Sequence, residues 1–165
     1  MRAQRKWAAN DGKYFLEISP SAWRFLEFEC SKANNRETGG ILIGYYSNDH
    51  STAIITEASS PPPDSTYGYN WFWRGIAGLR LLLFQHWRDT RCKTYYIGEW
   101  HYHPSVQIIP SSEDFNQMQA IRDLSNYKCR EPILLIVGKK NKGAMQLRAF
   151  VFPSGKQLYE FVCLS

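Results

Sequence analysis

The sequence predicts a single α/β domain with a mixed β-sheet. Segments with the apolar patterns of strands and helices alternate along the chain, which is the order typical of this fold class. The 165 residues suffice for one domain and are too few for two domains of ordinary size. Hydrophobic residues make up 44% of the chain and aromatic residues 15%, a composition that excludes a disordered protein. We therefore expect one domain over residues 1–165.

The first half of the chain contains three predicted strands and one predicted helix. Residues 14–18 form the first strand, and Ser19 followed by proline is a start signal for a helix that ends near residue 31. The glycine-flanked apolar run over residues 37–46 is typical of a buried strand. Residues 53–58 are expected to continue the sheet.

The second half begins with a proline-rich loop over residues 59–65, which includes Pro61, Pro62 and Pro63. The further predicted elements are a helix over residues 73–91, a strand over 94–103, a helix over 111–124 and strands over 133–138 and 145–152. Five aromatic residues fall within residues 67–73. Two interpretations of this run stay open: packing in the core at the entry to a helix, or a lid or groove wall for an extended peptide.

The charge and cysteine content narrow the classes of partner and compartment. Lys and Arg number 20 against 15 Asp and Glu, and a scattered excess of this size does not require nucleic acid as a partner. The four cysteines form no CxxC pair, which indicates reduced thiols and disfavours a cysteine-based zinc site. No apolar run reaches the ~20 residues of a membrane span, and residues 1–10 lack the apolar core of a secretory signal. We therefore expect a cytoplasmic protein without membrane association.

Two of the four histidines, His101 and His103, stand at the end of a predicted strand, separated by one residue. Side chains two apart on a strand project from the same face, about 7 Å apart along the chain. Imidazoles at that spacing are able to bind one metal ion, and Pro104 ends the hydrogen bonding of the strand directly after them. On its own, this pattern does not establish a metal site.

A second feature lies eight residues further on, where Ser111 and Asp114 stand at the start of a predicted helix. Ser-x-x-Asp at this place is close to a capping box, and capping alone would account for both residues. Together with the histidines, however, Asp114 completes a set of two nitrogens and one carboxylate. That set leaves the fourth tetrahedral position to water, which is typical of catalytic rather than structural zinc.

The pattern His-x-His-x7-Ser-x-x-Asp with an upstream glutamate resembles the JAMM signature of the JAB/MPN zinc metalloproteases. The similarity extends over residues 14–152, with matching sequence at residues 37–40, 98–104 and 110–114. The residues around the histidines are most similar to the bacterial stand-alone JAB deconjugases of antiphage operons, those of CBASS and of bacterial ubiquitin-like operons. The resemblance implies a curved mixed β-sheet flanked by helices, in a layout like that of the cytidine deaminases.

The resemblance also implies a role for each site residue. His101, His103 and Asp114 would bind Zn²⁺. Glu37 would be the general base, and Ser111 would hydrogen-bond near the metal-bound water and help to stabilise the tetrahedral oxyanion. From the residues alone, Glu99 and Glu113 compete as bases, because both lie nearer to the histidines in sequence. Tyr102 stands where many relatives carry a small Thr or Ser, and strand alternation directs it away from the ligands.

The implied function is a zinc-dependent isopeptidase or peptidase that cleaves the amide after the C-terminus of a conjugated protein. Its substrate would be a ubiquitin-like protein or, in an antiphage system, a conjugated cyclic-nucleotide synthase of the CD-NTase type. Two alternatives stay open: a non-catalytic MPN-type scaffold, which usually lacks ligand residues that this chain has, and a RadC-like protein associated with nucleic acid. RadC-type proteins usually carry an extra helical N-terminal domain. A zinc deaminase is disfavoured because its downstream cysteine pair is absent here.

Overall fold

The computed structural model describes residues 5–105, 108–124, 126–155 and 157–164. The helices are α1 (Pro20–Ala33), α2 (Leu79–Asp89) and α3 (Ser112–Asp123). The strands are β1 (Arg5–Ala9), β2 (Phe15–Ile18), β3 (Thr38–Tyr46), β4 (Thr52–Ala58), β5 (Thr66–Tyr67), β6 (Phe72–Trp73), β7 (Tyr95–His103), β8 (Ile133–Asn141), β9 (Ala144–Val151) and β10 (Tyr159–Cys163). Within these ranges, eight strands form a closed barrel in the order β1-β10-β9-β8-β7-β3-β4-β2, and β5 and β6 form a separate two-stranded sheet.

The sheet closes because two strands that the sequence patterns did not predict, β1 and β10, join its ends. Trp7 of β1 pairs with Leu16 of β2 on one side and with Cys163 of β10 on the other. The Trp7 ring is buried and stacks on Trp23 of α1, with 6.2 Å between ring centroids. The mixed α/β content is as expected, whereas the expectation of a curved sheet flanked by helices is corrected to a closed barrel. Strands this short, at opposite ends of the chain, carry too little local pattern to indicate their pairing.

The barrel strands separate two apolar clusters, because successive side chains of a strand point to opposite faces. Leu135 of β8 belongs to the cluster that includes Leu26 of α1, whereas its neighbour Leu134 belongs to the cluster that includes Met118 of α3. Residues on the inner side of α2 pack against the second cluster. No helix in the described part of the chain has both the length and the apolar content to cross a membrane.

Most predicted elements lie within a few residues of their predicted positions, but α2 begins later than expected. A helix was expected from Trp73, whereas α2 starts at Leu79 and the preceding residues include β5 and β6. The Asp64 carboxylate accepts hydrogen bonds from the backbone N–H groups of Ile76 at 3.0 Å and Ala77 at 2.9 Å. These local bonds hold the chain in a turn where apolar content alone indicates a helix.

β7 lies between two partners in the barrel, antiparallel to β3 and parallel to β8. The end of β7, at His103, lies beside the start of β3, where Gly39 pairs with His101. Glycine is needed there because a Cβ atom would lie 2.3 Å from the carbonyl oxygen of Trp100 and 2.8 Å from the ring of Phe72. The fold therefore brings the beginning of β3 and the histidine-bearing end of β7 into close contact.

Candidate metal centre and active site

Three side chains suited to hold a metal ion meet where β7 ends and α3 begins. His101 and His103 project from one face of β7, and Asp114 lies in the first turn of α3. All three residues are buried, and one ligand atom from each lies within 4.8 Å of the others. The structure thus brings together the two histidines and the carboxylate of the sequence motif.

Asp114 also completes a capping box at the start of α3. Its backbone N–H donates to Ser111 Oγ at 3.1 Å, and the backbone N–H of Ser111 donates to Asp114 Oδ2 at 2.7 Å. The Ser111 hydroxyl donates to the same carboxylate oxygen at 2.9 Å, while Oδ1 lies 2.6 Å from His101 Nδ1. Burial acts to raise the pKa of Asp114, but the His101 contact and the Ser111 bonds outweigh it and lower the pKa to about 2. The helix cap therefore orients an ionised carboxylate towards the histidines.

The ring nitrogens of the two histidines suit metal binding. An ionised carboxylate only accepts hydrogen bonds, so His101 Nδ1 carries a proton and, in the neutral ring, Nε2 carries the lone pair. This Nε2 is buried and has no hydrogen-bond partner. His103 Nδ1 lies 3.2 Å from the carbonyl oxygen of Ile109, and burial lowers the pKa of His103, which favours the neutral form that metals require. Two imidazoles and an ionised carboxylate, all buried and close together, form a donor set that fits Zn²⁺.

Glu37 lies directly before β3, beside this cluster. The next residue, Thr38, pairs with Tyr102, which stands between the two histidines on β7. The Glu37 side chain is partly buried. Burial, followed by the negative charge of Asp114, raises the pKa of Glu37 to about 7, and His101 acts in the opposite direction. A carboxylate that titrates near neutral pH is suited to accept a proton and to return it.

The two other glutamates that the sequence leaves open as bases have different surroundings. Glu99 is completely buried, with one carboxylate oxygen 2.6 Å from Arg74 Nε and the other accepting the Tyr96 hydroxyl at 2.8 Å. Glu113 is exposed, and its carboxylate accepts a hydrogen bond from the Ser112 hydroxyl at 3.2 Å. Glu37 alone of the three combines partial exposure with electrostatic coupling to the cluster.

A groove of about 570 Å³ opens beside Glu37. Its lining comes from the end of α1, from the turn before β3, from Pro61 and from the hairpin residues Tyr67 and Tyr69. The proline-rich loop over residues 59–65 therefore borders the groove through Pro61. A concave surface of this size next to a carboxylate of raised pKa is typical of a substrate site.

The aromatic run over residues 67–73 lies in a segment that we call the wall segment, residues 64–78. Tyr69 and Trp73 are 76% and 74% exposed, so the core-packing interpretation of the run is wrong for these two residues. Phe72 instead turns towards the cluster and meets the His101 ring edge to face, with 5.6 Å between centroids. The observed placement fits a groove wall.

Sequence reasoning did not single out Phe72 and Arg74, which both contact residues of β7. The two-residue strand β6 is too short for an alternating pattern to reveal which face lies towards the barrel. The apolar content and the helix-forming residues over 71–91 favoured a helix instead.

Tyr102 points away from the histidines, as strand alternation predicts. Its side chain is buried in the cluster that also contains Trp100, and its hydroxyl donates to the carbonyl oxygen of Asn34 at 3.4 Å. The departure from the family at this position is therefore accommodated by packing on the other side of β7.

A family of known proteins, the prokaryotic homologs of the JAB domain, matches residues 25–151. The matched range contains Glu37 and the whole His101, His103 and Asp114 cluster. A solved structure, that of protein DSY2949 from Desulfitobacterium hafniense, shares the fold with a TM-score of 0.61 at 16% identity, over 87% of each chain. Fold and site together define a JAB-type domain.

Three relatives carry names that describe an activity. A CD-NTase/cGAS isopeptidase of Enterobacter hormaechei is 46% identical over 142 residues, which cover 86% of this chain and 77% of the relative. A protein with the same name from Pseudomonas aeruginosa is 27% identical over 84% of this chain and 87% of its own. A probable metalloprotease, y4qB, of Sinorhizobium fredii is 26% identical over 110 residues, 66% of each chain. The chain belongs to the prokaryotic JAB family, and these names support a hydrolase.

Proposed function

We propose that this protein is a zinc-dependent isopeptidase that cleaves the amide after the C-terminus of a conjugated protein. The observation that carries the proposal is the cluster of His101, His103 and Asp114 with Glu37 and an open groove beside it. The names of the two isopeptidase relatives support a CD-NTase as the conjugated protein, in a CBASS-type antiphage system. The same reaction would release a conjugated ubiquitin-like protein, which is the second candidate substrate.

His101, His103 and Asp114 would hold Zn²⁺ through two nitrogens and one oxygen. When bound, this ion supplies Lewis acidity, which makes water a nucleophile near neutral pH and polarises a carbonyl group. The helix cap keeps the carboxylate of Asp114 ionised and directed towards the histidines, which suits it as an anionic ligand.

Glu37 would take the proton of the attacking water and return it to the leaving lysine amine. Its carboxylate is partly buried and lies within electrostatic reach of Asp114 and His101, which places it for both steps. Ser111 is assigned to the oxyanion. In the structure its hydroxyl donates to Asp114 Oδ2, so this role requires the hydroxyl to rotate away from the carboxylate.

The tail of the conjugated protein would enter the groove in an extended conformation. Every strand of the closed barrel has two neighbours, so the barrel offers no free edge for strand addition within the described residues. The two-stranded β5–β6 sheet in the wall segment does have free edges. We therefore place the extended tail against this hairpin, where backbone hydrogen bonds supply affinity without requiring a particular side chain.

The test uses purified protein and a CD-NTase joined through its C-terminal carboxyl group to a lysine ε-amine. Cleavage should release the intact CD-NTase, stop with a zinc chelator and return when Zn²⁺ is restored. Glu37→Gln should abolish cleavage while the zinc content stays at one equivalent. Glu113→Gln is the matched control, because this exposed glutamate lies beside Asp114 in sequence but outside the cluster, and it should cleave at the normal rate.

Three outcomes would overturn the proposal. Bound zinc without cleavage of either a CD-NTase or a ubiquitin-like conjugate would favour the scaffold alternative. Cleavage that is insensitive to chelation, or that survives Glu37→Gln, would exclude the assigned mechanism.

A further inference from the structure

The wall segment contacts β7 through two residue pairs, and the paired residues lie two positions apart on each of the two segments. Phe72 contacts His101, and Arg74 contacts Glu99, two residues earlier on β7. Trp73, which lies between Phe72 and Arg74, is exposed. Phe72, on one face of β6, and Arg74, the residue after β6, therefore pack on the face of β7 that carries the histidines.

The contact between Arg74 and Glu99 is a buried ion pair in which each guanidinium nitrogen has a hydrogen-bond partner. The two side chains are 4% and 0% exposed, and Arg74 Nε lies 2.6 Å from Glu99 Oε2. The other guanidinium nitrogens donate to the carbonyl oxygen of Gly75 at 2.8 Å and to the Tyr127 hydroxyl at 3.0 Å. The second oxygen of Glu99 accepts the Tyr96 hydroxyl. Every nitrogen of the planar guanidinium group is thus used, which gives the contact a defined orientation.

The remaining hydrogen bonds of the wall segment are mostly internal. Asp64 accepts from Ile76 and Ala77, and Ser65 Oγ accepts from the backbone N–H of Gly75 at 2.9 Å. Among the described residues, few hydrogen bonds join the wall segment to distant parts of the chain. They are the bonds of Arg74 and one backbone bond. In that bond, the N–H of Glu37 donates to the carbonyl oxygen of Gly68 at 2.9 Å.

These contacts connect Arg74 to the site along two routes. Through Glu99 it fixes β6 against β7, which places the Phe72 ring on His101. Through the hairpin it fixes the position of Gly68, which in turn holds the backbone of Glu37. Arg74 touches neither the cluster nor the groove itself.

We propose that Arg74 is a positioning residue, whose ion pair with Glu99 holds the wall segment against β7 and thereby sets the groove wall and the place of Glu37. The kinetic consequence rests on the proposed function, whereas the anchoring of the segment does not. The geometry of the segment is therefore measurable separately from catalysis.

The test compares two variants with a control. The double variant Arg74→Met with Glu99→Gln removes the pair without leaving a buried charge uncompensated, and the side-chain amide introduced by Glu99→Gln still accepts the Tyr96 hydroxyl. Arg74→Lys keeps the charge but loses the three-directional fork. Lys6→Met is the control, because it removes the 2.7 Å ion pair with Glu17 between β1 and β2, away from the cluster.

The double variant should raise KM and lower kcat/KM on the order of 10- to 100-fold, since a small displacement of a reacting group has effects of this size. Zinc content should stay unchanged, and Arg74→Lys should be intermediate. A merely structural role would reduce the fraction of folded enzyme, which lowers kcat and leaves KM unchanged. Amide hydrogen exchange of the double variant should be faster at Glu37 and over residues 64–78, with β8 unaffected. Lys6→Met should match the original protein in all of these measurements.

An unchanged KM in the double variant of an active enzyme would overturn the proposal. Unchanged hydrogen exchange over residues 64–78 and at Glu37 would overturn it as well. If the original protein cleaves no conjugate, the proposed function fails by itself, and the exchange measurement alone then decides whether Arg74 anchors the segment.

Discussion

Asp114 at the start of α3 and Glu37 at the start of β3 are two carboxylates beside the same histidine pair, and their surroundings push their pKa values in opposite directions. Asp114 is held near a pKa of about 2 by bonds from His101 and Ser111, whereas burial and the charge of Asp114 raise the pKa of Glu37 to about 7. An ionised carboxylate that is held by a helix cap is suited to be a permanent ligand of a cation. A carboxylate that titrates near neutral pH suits proton transfer. A difference in pKa between two neighbouring carboxylates is commonly used to decide which one transfers protons and which one stays ionised.

Removal of the Asp114 carboxylate should have the largest effect, because the proposed cation ligand and the side-chain half of the capping box are lost together. In Asp114→Ala we expect no bound zinc and no measurable hydrolysis. Loss of the hydrogen bond from the Ser111 backbone N–H to this carboxylate should also lower the free energy of unfolding by about 1 kcal/mol. Metal analysis, conjugate cleavage and denaturant unfolding measure the three effects. Glu113→Ala is the control in the same helix turn, and similar losses in that variant would remove the distinction between the two residues.

Zinc should stabilise the Glu37→Gln variant against unfolding but should not stabilise Asp114→Ala. A ligand at about 100 times its Kd adds about 2.7 kcal/mol to the folded state, which corresponds to roughly 5–10 °C in Tm for a chain of this size. Glu37→Gln should keep this zinc-induced shift, because Glu37 is not assigned as a ligand, and Asp114→Ala should lose it. Thermal unfolding with and without Zn²⁺ gives the answer. Loss of the shift in Glu37→Gln would mean that Glu37 helps to bind the metal.

Ser111 and Ser19 offer a matched pair of helix caps. Each hydroxyl accepts the backbone N–H three residues later, at 3.1 Å in both helices. Replacement of either serine by alanine should therefore cost about 1 kcal/mol of stability. Only Ser111→Ala should also reduce kcat, on the order of 10²-fold, if its hydroxyl stabilises the oxyanion. Equal activity in the two variants would limit Ser111 to the capping role.

The smallest expected effect is a pH-dependent difference in stability between Glu37→Gln and the original protein, both without metal. The folded-state pKa of Glu37, about 7, lies above its ordinary value of 4.5. Its protonated form is therefore favoured in the folded protein, and this contribution to stability is lost as pH rises from 4.5 through 7. Glu37→Gln should become relatively more stable as pH rises over that interval, which Tm values measured across it detect. A difference that is constant with pH would show that Glu37 titrates at its ordinary value.

The contribution of Asp114 has the opposite sign. Its folded-state pKa, about 2, lies below the ordinary 3.8, so its stabilising contribution is present above 3.8 and is lost as pH falls towards 2. Unfolding of the metal-free protein below about pH 4 should therefore be less pH-dependent in Asp114→Ala than in the original protein. The two carboxylates can thus be distinguished by the pH interval in which each acts.

The chain itself determined the local elements and the candidate ligand set. The spacing of His101 and His103 follows from strand alternation, and Ser111 with Asp114 follows from the chemistry of a helix start, so these features are readable within a few residues. The structure brings His101, His103 and Asp114 together as that pattern predicts. The choice of Glu37 over Glu99 came from the family resemblance, because type and spacing do not distinguish one glutamate from another.

Only the tertiary structure decided the closure of the barrel, the late start of α2 and the environment of each glutamate. Trp7 and Cys163 pair across almost the whole length of the chain, and such pairing depends on burial and register that no local pattern contains. Glu99 forms a buried ion pair with Arg74, and this pair exists only because β6 docks on β7. A pKa depends on burial and on charges that folding brings near. The sequence therefore names the candidate residues, and the fold separates the buried, paired carboxylate of Glu99 from the partly exposed carboxylate of Glu37.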